Sequence, residues 1–503
     1  MGAISLSAAA LTDPVRLDTG LISGVPGSDP AVHVYKGIPF AAPPVGNLRW
    51  HSPEPPAHWE GVRAGDQFGP MCMQGGGGGR GGRGGGATPG RVSEDCLYLN
   101  VWTAAKSPGE RRPVMVWLHP GGFNSGSGSQ PAYDGEAFAK KGVVLVTVNY
   151  RLGVFGFFSY PELTKESDRH ASGNYGLMDQ VAVLQWVRKN IAAFGGDPRR
   201  VTIDGDSAGA MSVGDLMASP QAKGLFQRAI AESGGAIGLS VNPMRKLADA
   251  EQAGVKSAEA MGAMSLADLR AKPAAEILKS LRGTSVIVDG WFLPEDPGLI
   301  FAAGKQNDVP LLVGSNQDEG TFFIQKGPAE RFLENARRRF GDLADTYFKL
   351  YPAGSDDEAY ASQSTAFRDE LAFVMRNLAG LQAKTGKSKP YLYYFTHLPP
   401  VAPGGRDLRA THGAEAAYVF QNLTPGRPWT ELDRQVADAI STYWVNFATS
   451  GDPNGKGLPR WPAFEEKKSD RPMVLGDKAE AGSGPLDQAK LALYQALYDR
   501  QRQ

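Results

Sequence analysis

Two near-continuous apolar runs, Val114 to Leu118 (VMVWL) and Val143 to Tyr150 (VVLVTVNY), set the character of the first half of the chain. Such runs fit strands covered on both faces. From Tyr175 to Phe194, Leu177, Val181, Leu184, Val187 and Ile191 recur at spacings of three and four, the apolar stripe of a helix. Gly195-Gly196-Asp197-Pro198 stops it. Val201 to Gly205 predicts the next strand, followed by a small-residue helix from Ala208. Strand and helix patterns that alternate in this way build βαβ units, so the fold class is α/β with a central, mostly parallel sheet flanked by helices. Pro310 to Gly314 and Tyr391 to Thr396 are read as later strands of the same sheet, and residues 249–281 and 329–381 as helical cap insertions.

Length does not force a division of this chain: 503 residues can form one α/β domain carrying insertions. Residues 1–503 are therefore expected to be a single domain. Gly75 to Gly86 (GGGGGRGGRGGG) interrupts the pattern. Ordering such a tract costs much entropy and buries nothing, so a mobile surface loop is expected. Two arginines without an aromatic do not make a nucleic-acid platform. Lys+Arg and Asp+Glu both number 53, so the net charge is zero and nucleic acid is not an expected partner. No run of 18 apolar residues suggests a membrane span. Ile4 to Leu11 reads either as the remnant of a secretory signal or as an unstructured start.

Candidate chemistry begins at Gly205-Asp206-Ser207-Ala208-Gly209, the only GxSxG in the chain. It falls where a predicted strand meets a predicted helix, the sharp turn that raises a serine hydroxyl above a sheet. A serine hydroxyl needs a base, and the base needs an orienting group. With the order serine, acid, histidine, only His397 and His412 of the seven histidines follow Ser207. His397 ends a strand pattern, whereas His412 lies in the loop beyond it, where a base can approach from above the strand ends. His412 is the expected base. The acid falls in Gly314-Ser315-Asn316-Gln317-Asp318-Glu319-Gly320, where spacing leaves Asp318 and Glu319 both open. His119-Pro120-Gly121-Gly122 follows the first apolar strand. Its glycine N–H groups, with that of Ala208, can meet a developing oxyanion. No GxxxxGK[ST] phosphate loop accompanies this set, and no cofactor is expected. Cys72 and Cys96 are the only cysteines, and they form one disulfide or remain two buried thiols. Without CxxC spacing or a histidine pair, a metal site is not expected.

Taken together these residues resemble the type B carboxylesterases, the branch of the α/β-hydrolase fold that includes the cholinesterases. The resemblance runs from about Val15 to Phe464 and rests on several motifs. They are Tyr35-Lys36-Gly37-Ile38-Pro39-Phe40 with Ala42-Pro43-Pro44, Glu94-Asp95-Cys96-Leu97-Tyr98-Leu99-Asn100, the Ser207 elbow, Asp318-Glu319-Gly320, His412-Gly413 and Gly451-Asp452-Pro453-Asn454-Gly455. The resemblance implies Ser207 as nucleophile, Glu319 as acid, His412 as base and Gly121, Gly122 and Ala208 as the oxyanion hole. It further implies a Cys72–Cys96 disulfide, hence a secreted or periplasmic rather than cytoplasmic setting. Arg49 with Glu94 and Arg151 with Asp179 resemble the family's structural ion pairs. Three positions depart from the pattern: Pro120 replaces a glycine, Asp206 a glutamate, and Asp204 a residue that is commonly apolar.

The implied activity is hydrolysis of a small-molecule carboxylic ester through an acyl-enzyme. Amidase, carbamate or thioester hydrolysis can use the same machinery, and some relatives of this kind are adhesion proteins that have lost the triad. All triad and oxyanion positions are filled here, which favours the enzyme. In cholinesterases, the loop between the equivalents of the two cysteines carries an aromatic that holds a quaternary ammonium. Here the residues between Cys72 and Cys96 include no Trp, Tyr or Phe, so uncharged small to medium esters are expected. A histidine base of ordinary basicity predicts activity that rises with pH through roughly 6 to 7.5.

Overall fold

The computed structural model describes residues 13–75, 91–236, 244–283, 285–465 and 471–501. The N-terminal stretch and all but the first residue of the glycine tract lie outside the described residues. Eleven strands form one sheet: β1 (Val25–Pro26), β2 (His33–Pro39), β3 (Tyr98–Thr103), β4 (Arg112–Leu118), β5 (Val144–Val148), β6 (Gly196–Asp206), β7 (Arg228–Glu232), β8 (Leu311–Asn316), β9 (Pro390–Phe395), β10 (Met473–Leu475) and β11 (Ala479–Ala481). Their order across the sheet is β11-β10-β9-β8-β7-β6-β4-β5-β3-β2-β1. From β10 to β5 every neighbouring pair is parallel, and the antiparallel pairs lie toward the two edges. The α/β expectation holds. β6 starts five residues earlier than its apolar core suggests, because Gly195 (φ 78°) ends the preceding helical turn and the chain pairs at once with Arg112.

Successive residues of the central strands feed two different cores, which is why those strands read as unbroken apolar runs. Val114, Val116, Val146, Ile203 and Val313 face one side. Met115, Trp117, Leu145, Ile230 and Leu312 face the other. Helices α1 (Tyr175–Asn190), α2 (Ala208–Ala218) and α4 (Asp356–Thr385) cover the first side, and α1 buries the predicted Leu177, Val181, Leu184 and Val187 there. The short α5 (Ala416–Val419) and the long α6 (Glu431–Ser450) cover the second side with Tyr418, Val436, Ile440, Trp444 and Phe447. Each such large side chain contributes about 1.5–3 kcal/mol when fully buried. A capping box between Thr430 and Asp433 starts α6, and Gly451 in the left-handed region ends it. Residues 249–281 contain helical segments within Leu247–Glu259, Leu266–Ala271 and Ala274–Ser280.

The implied cross-links are present. Cys72 and Cys96 are disulfide-bonded. Arg49 meets Glu94 through both carboxylate oxygens at 2.7 Å, and its Nη1 donates to the carbonyls of Leu269, Arg270 and Lys272. Arg151 grips Asp179 in the same two-pronged way at 2.7 and 2.8 Å, with neither residue exposed. A pair this dry persists because each partner satisfies the other.

Candidate active site

The C-terminal ends of β4, β6, β7 and β8 converge on one region, since parallel neighbours deliver their loops to the same edge. At the end of β6 the chain reverses into α2 through Ser207, at φ 55° and ψ −116°, a conformation that costs a non-glycine residue energy. The Ser207 N–H donates to the Glu232 carbonyl at 2.8 Å. Close approach dictates the glycines around this turn. A Cβ at Gly205 would stand 2.4 Å from the Gly209 carbonyl carbon, one at Gly209 1.9 Å from the Leu118 carbonyl oxygen, and one at Gly234 2.2 Å from the Ser207 carbonyl oxygen.

Asp318 and Glu319, left open by spacing, point to different surroundings. Asp318 pairs with the Arg409 guanidinium at 3.0 Å and accepts the Ala410 N–H. Glu319 is fully buried and accepts from the Ser233 hydroxyl (2.6 Å), the Asn316 N–H (2.8 Å) and His412 Nδ1 (2.6 Å). With Nδ1–H donated to a carboxylate, Nε2 is the ring nitrogen left to accept a proton; it is buried, and among the described residues it has no hydrogen-bond partner. The loop of His412 lies against the serine turn: a Cβ at Gly413 would stand 3.1 Å from Asp206 Oδ2. His397 is placed elsewhere, with Nδ1 on Asp477 (2.7 Å) and Nε2 on Asp433 (3.0 Å), so neither ring nitrogen is free.

Burial alone would lower the His412 pKa, but the charge and hydrogen bond of Glu319, with Asp206 and Glu415, outweigh it and lift the value to about 9. This lift is in the direction of an activity rise that sets in later than the roughly 6 to 7.5 of an ordinary histidine. Gly121 (φ 127°) stands in a conformation closed to other residues, Gly122 (φ 61°) lies in the left-handed region that favours glycine, and Ser125 folds back to donate its N–H to the Gly121 carbonyl. Among the described residues no acceptor takes the N–H of Gly121, Gly122 or Ala208. His119, ahead of them, is held down to about 4 by burial and stacks on Tyr150, whose hydroxyl donates to the His119 carbonyl.

Several residues escape sequence reasoning. Glu415 is fully buried, bonds Asn316 and the Ser233 hydroxyl, and is pushed up to about 7 by burial and by Glu319. Only its place three residues after His412 hints at it. Phe322 and Phe323, on the short α3 (Gly320–Phe323), lie with ring centres 6.1 and 4.8 Å from the His412 ring, and Phe367 packs 4.8 Å from Phe323. The rings beside His412 thus come from the segment after Glu319 and not from the loop between the two cysteines. Among the described residues there is no cluster of metal-ligating side chains, and no helix is long and apolar enough to cross a membrane.

Comparison with known proteins adds a family to this geometry: the model of the carboxylesterase family matches residues 12–493. The chain belongs to the carboxylesterase family. Fumonisin B1 esterase of Sphingopyxis macrogoltabida is 37% identical over 508 residues, covering 96% of this chain and 91% of that protein. Para-nitrobenzyl esterase of Bacillus subtilis (strain 168) is 33% identical over 509 residues, covering 95% and 98%. A solved PNB esterase structure matches with a TM-score of 0.81 at 33% identity, covering 95% of this chain and 99% of the other. The fold is that of the α/β-hydrolases, and this carboxylesterase-family chain is a carboxylic-ester hydrolase.

Proposed function

We propose that the enzyme hydrolyses uncharged esters with small to medium acyl groups through an acyl-enzyme on Ser207. Ser207 Oγ attacks the ester carbonyl while His412 Nε2 takes its proton. The N–H groups of Gly121, Gly122 and Ala208 stabilise the oxyanion as it forms. The C–O bond to the alcohol then breaks, and the leaving oxygen receives the proton from Nε2. Water attacks the acyl-enzyme by the same route, returning its proton through His412 and releasing the acid and the free serine. Glu319 keeps the imidazole oriented and stabilises the imidazolium. Support comes above all from one observation: a fully buried Glu319 holds Nδ1 of His412 at 2.6 Å and leaves Nε2 unpartnered.

Phe322, Phe323 and Phe367 offer apolar faces for the acyl or alcohol group. The disulfide suits an oxidising compartment, so a secreted or periplasmic setting goes with this reading.

Turnover of p-nitrophenyl acetate by Ser207→Ala and His412→Ala should fall by roughly four orders of magnitude or more. A sulfonyl fluoride should label the wild type at Ser207 by peptide mass, with loss of fluoride. Wild-type-like turnover by Ser207→Ala would overturn the assignment. A pair of thioesters with one acyl group, one of thiocholine and one of a neutral thiol, tests the preference for uncharged substrates. A kcat/KM more than about 100-fold higher for the thiocholine ester would refute it.

A further inference from the structure

Asp204, one of the three positions that depart from the pattern of the resembling family, lies two residues before Asp206 on β6, so both side chains leave the same face of the sheet. Asp206 is in register with Glu232 of β7, and Asp204 with Ile230, which puts Glu232 on that face as well. The face is an aromatic layer of Trp117, Tyr393 and Trp444. Asp204 and Glu232 are both fully buried in it. Among the described residues no side-chain N–H or hydroxyl reaches either oxygen of Asp204, and the groups that bear on its carboxyl by hydrogen bonding are the Glu232 carboxyl and the Gly205 backbone N–H. Glu232 takes one donor, the Trp444 Nε1 at 2.7 Å, on its Oε1, while its Oε2 has no other donor.

Two ionised carboxylates are acceptors only and cannot bond each other in a dry layer, whereas one proton turns the same contact into a strong O–H···O bond. The charged and titratable groups that face the pair do not supply a cation. They are Asp206 on β6, Glu415 before α5, Tyr393 on β9 and Tyr133 in the loop after β4. Burial pushes both acids upward, aided at Asp204 by the charge of Glu415 and at Glu232 by those of Asp204, Glu415 and Asp206, while the hydrogen bond from Glu232 works the other way on Asp204, in agreement with that geometry.

We propose that Asp204 and Glu232 keep at least one proton between them, and that this contact is a positioning device for the catalytic serine. The Glu232 carbonyl holds the Ser207 N–H at 2.8 Å, and the next residue, Ser233, holds Glu319 at 2.6 Å. The end of β7 thus anchors nucleophile and acid together, and the shared proton fixes that end. When hydroxide removes the last proton, as water, two adjacent carboxylates repel and the anchor loosens. Activity then falls on the alkaline side.

The kinetic arm rests on the triad reading, whereas the spectroscopic arm does not. Infrared spectra of the wild type, Asp204→Asn and Glu232→Gln at pH 7 should show part of the protonated-carboxyl carbonyl absorption missing from each variant. In kcat/KM profiles, the wild type should have an alkaline limb that moves up by about one pH unit or more in Asp204→Asn, since the amide donates permanently to an ionised Glu232. The acid limb should stay in place. Unchanged spectra, no alkaline limb in the wild type, or the same limb in Asp204→Asn would overturn the proposal. Should Asp204→Asn fail to fold, Glu232→Gln carries both readouts. An active Ser207→Ala with altered spectra in the pair variants would fault the triad and not the pair.

Discussion

Removing the hydroxyl of Ser233 tests how far the acid depends on its surroundings. In the resting enzyme this hydroxyl donates to Glu319 Oε1 at 2.6 Å and lies 3.2 Å from Glu415 Oε1, with Ser233 only 2% exposed. A hydrogen bond to a charged group contributes about 1.5–3 kcal/mol. If all of it were lost in the transition state, the rate would fall about 10- to 100-fold. Glu319 keeps two other donors, the Asn316 N–H and His412 Nδ1, so the imidazole remains oriented and the lower part of that range is expected. Ser233→Ala should therefore lose about 10- to 30-fold in kcat/KM toward p-nitrophenyl acetate, mostly in kcat, because no substrate contact is removed. The assay is steady-state hydrolysis at several pH values, with circular dichroism to establish the fold. A loss of less than about twofold, or one confined to KM, would refute the idea that the Ser233 bond stabilises the charge on the acid.

Three further outcomes follow from the same geometry. His412 must be neutral to accept a proton and its pKa is raised, so the acid limb of kcat/KM should lie toward about 9. In Glu319→Gln that limb should fall toward the ordinary 6.5, with kcat reduced about 10³–10⁴-fold, and a pH–rate profile reads both. His397→Ala should cost about 1–3 kcal/mol of stability in chemical denaturation, because Asp433 loses one donor while keeping those of Thr430 and Tyr418 and the exposed Asp477 is left to water, while kcat of the folded fraction stays near wild type. Asp215 is pushed well up, first by burial and then by the charge of Asp296, so the native state holds a proton that the unfolded state releases above about pH 4. Stability of the wild type should then fall with rising pH by about 1.4 kcal/mol per unit from this group, and Asp215→Asn should flatten that fall. Melting temperatures of the two proteins between about pH 4 and 8 should diverge, and parallel curves would sink the argument.

Much of this architecture is legible in the chain because the central strands are covered on both faces. A buried parallel strand needs apolar side chains in both directions, so β4 and β5 announce themselves as runs. The serine turn is legible because its geometry demands small residues at fixed offsets, as the close contacts of Gly205 and Gly209 show. The partner of His412 is not legible from spacing alone. Asp318 and Glu319 are adjacent, and the difference between them is that one turns out to Arg409 while the other turns in to Ser233 and His412, a matter of tertiary packing. Glu415, Ser233 and the Asp204–Glu232 contact lie further from view. Each depends on residues far apart in sequence meeting across strands, and no local pattern marks a polar side chain destined for a dry layer. Phe322 and Phe323 follow Glu319 directly, and no local pattern tells that their rings turn toward His412.

The crowding around Ser207 has a consequence for how substrate choice can change. With Gly205, Gly209 and Gly234 each pressed against backbone, there is no room beside the nucleophile for a side chain of any size. Whatever ester the enzyme favours, that preference has to be written elsewhere, and α3, whose rings lie against His412, is text open to change. Phe323 is 41% exposed and Phe322 only partly covered, so the core does not depend on either ring. A library that seeks new substrates should hold the three glycines constant and vary positions 322, 323 and 367. The invariant turn then serves every variant as a common engine, and the rings around His412 become the interchangeable part.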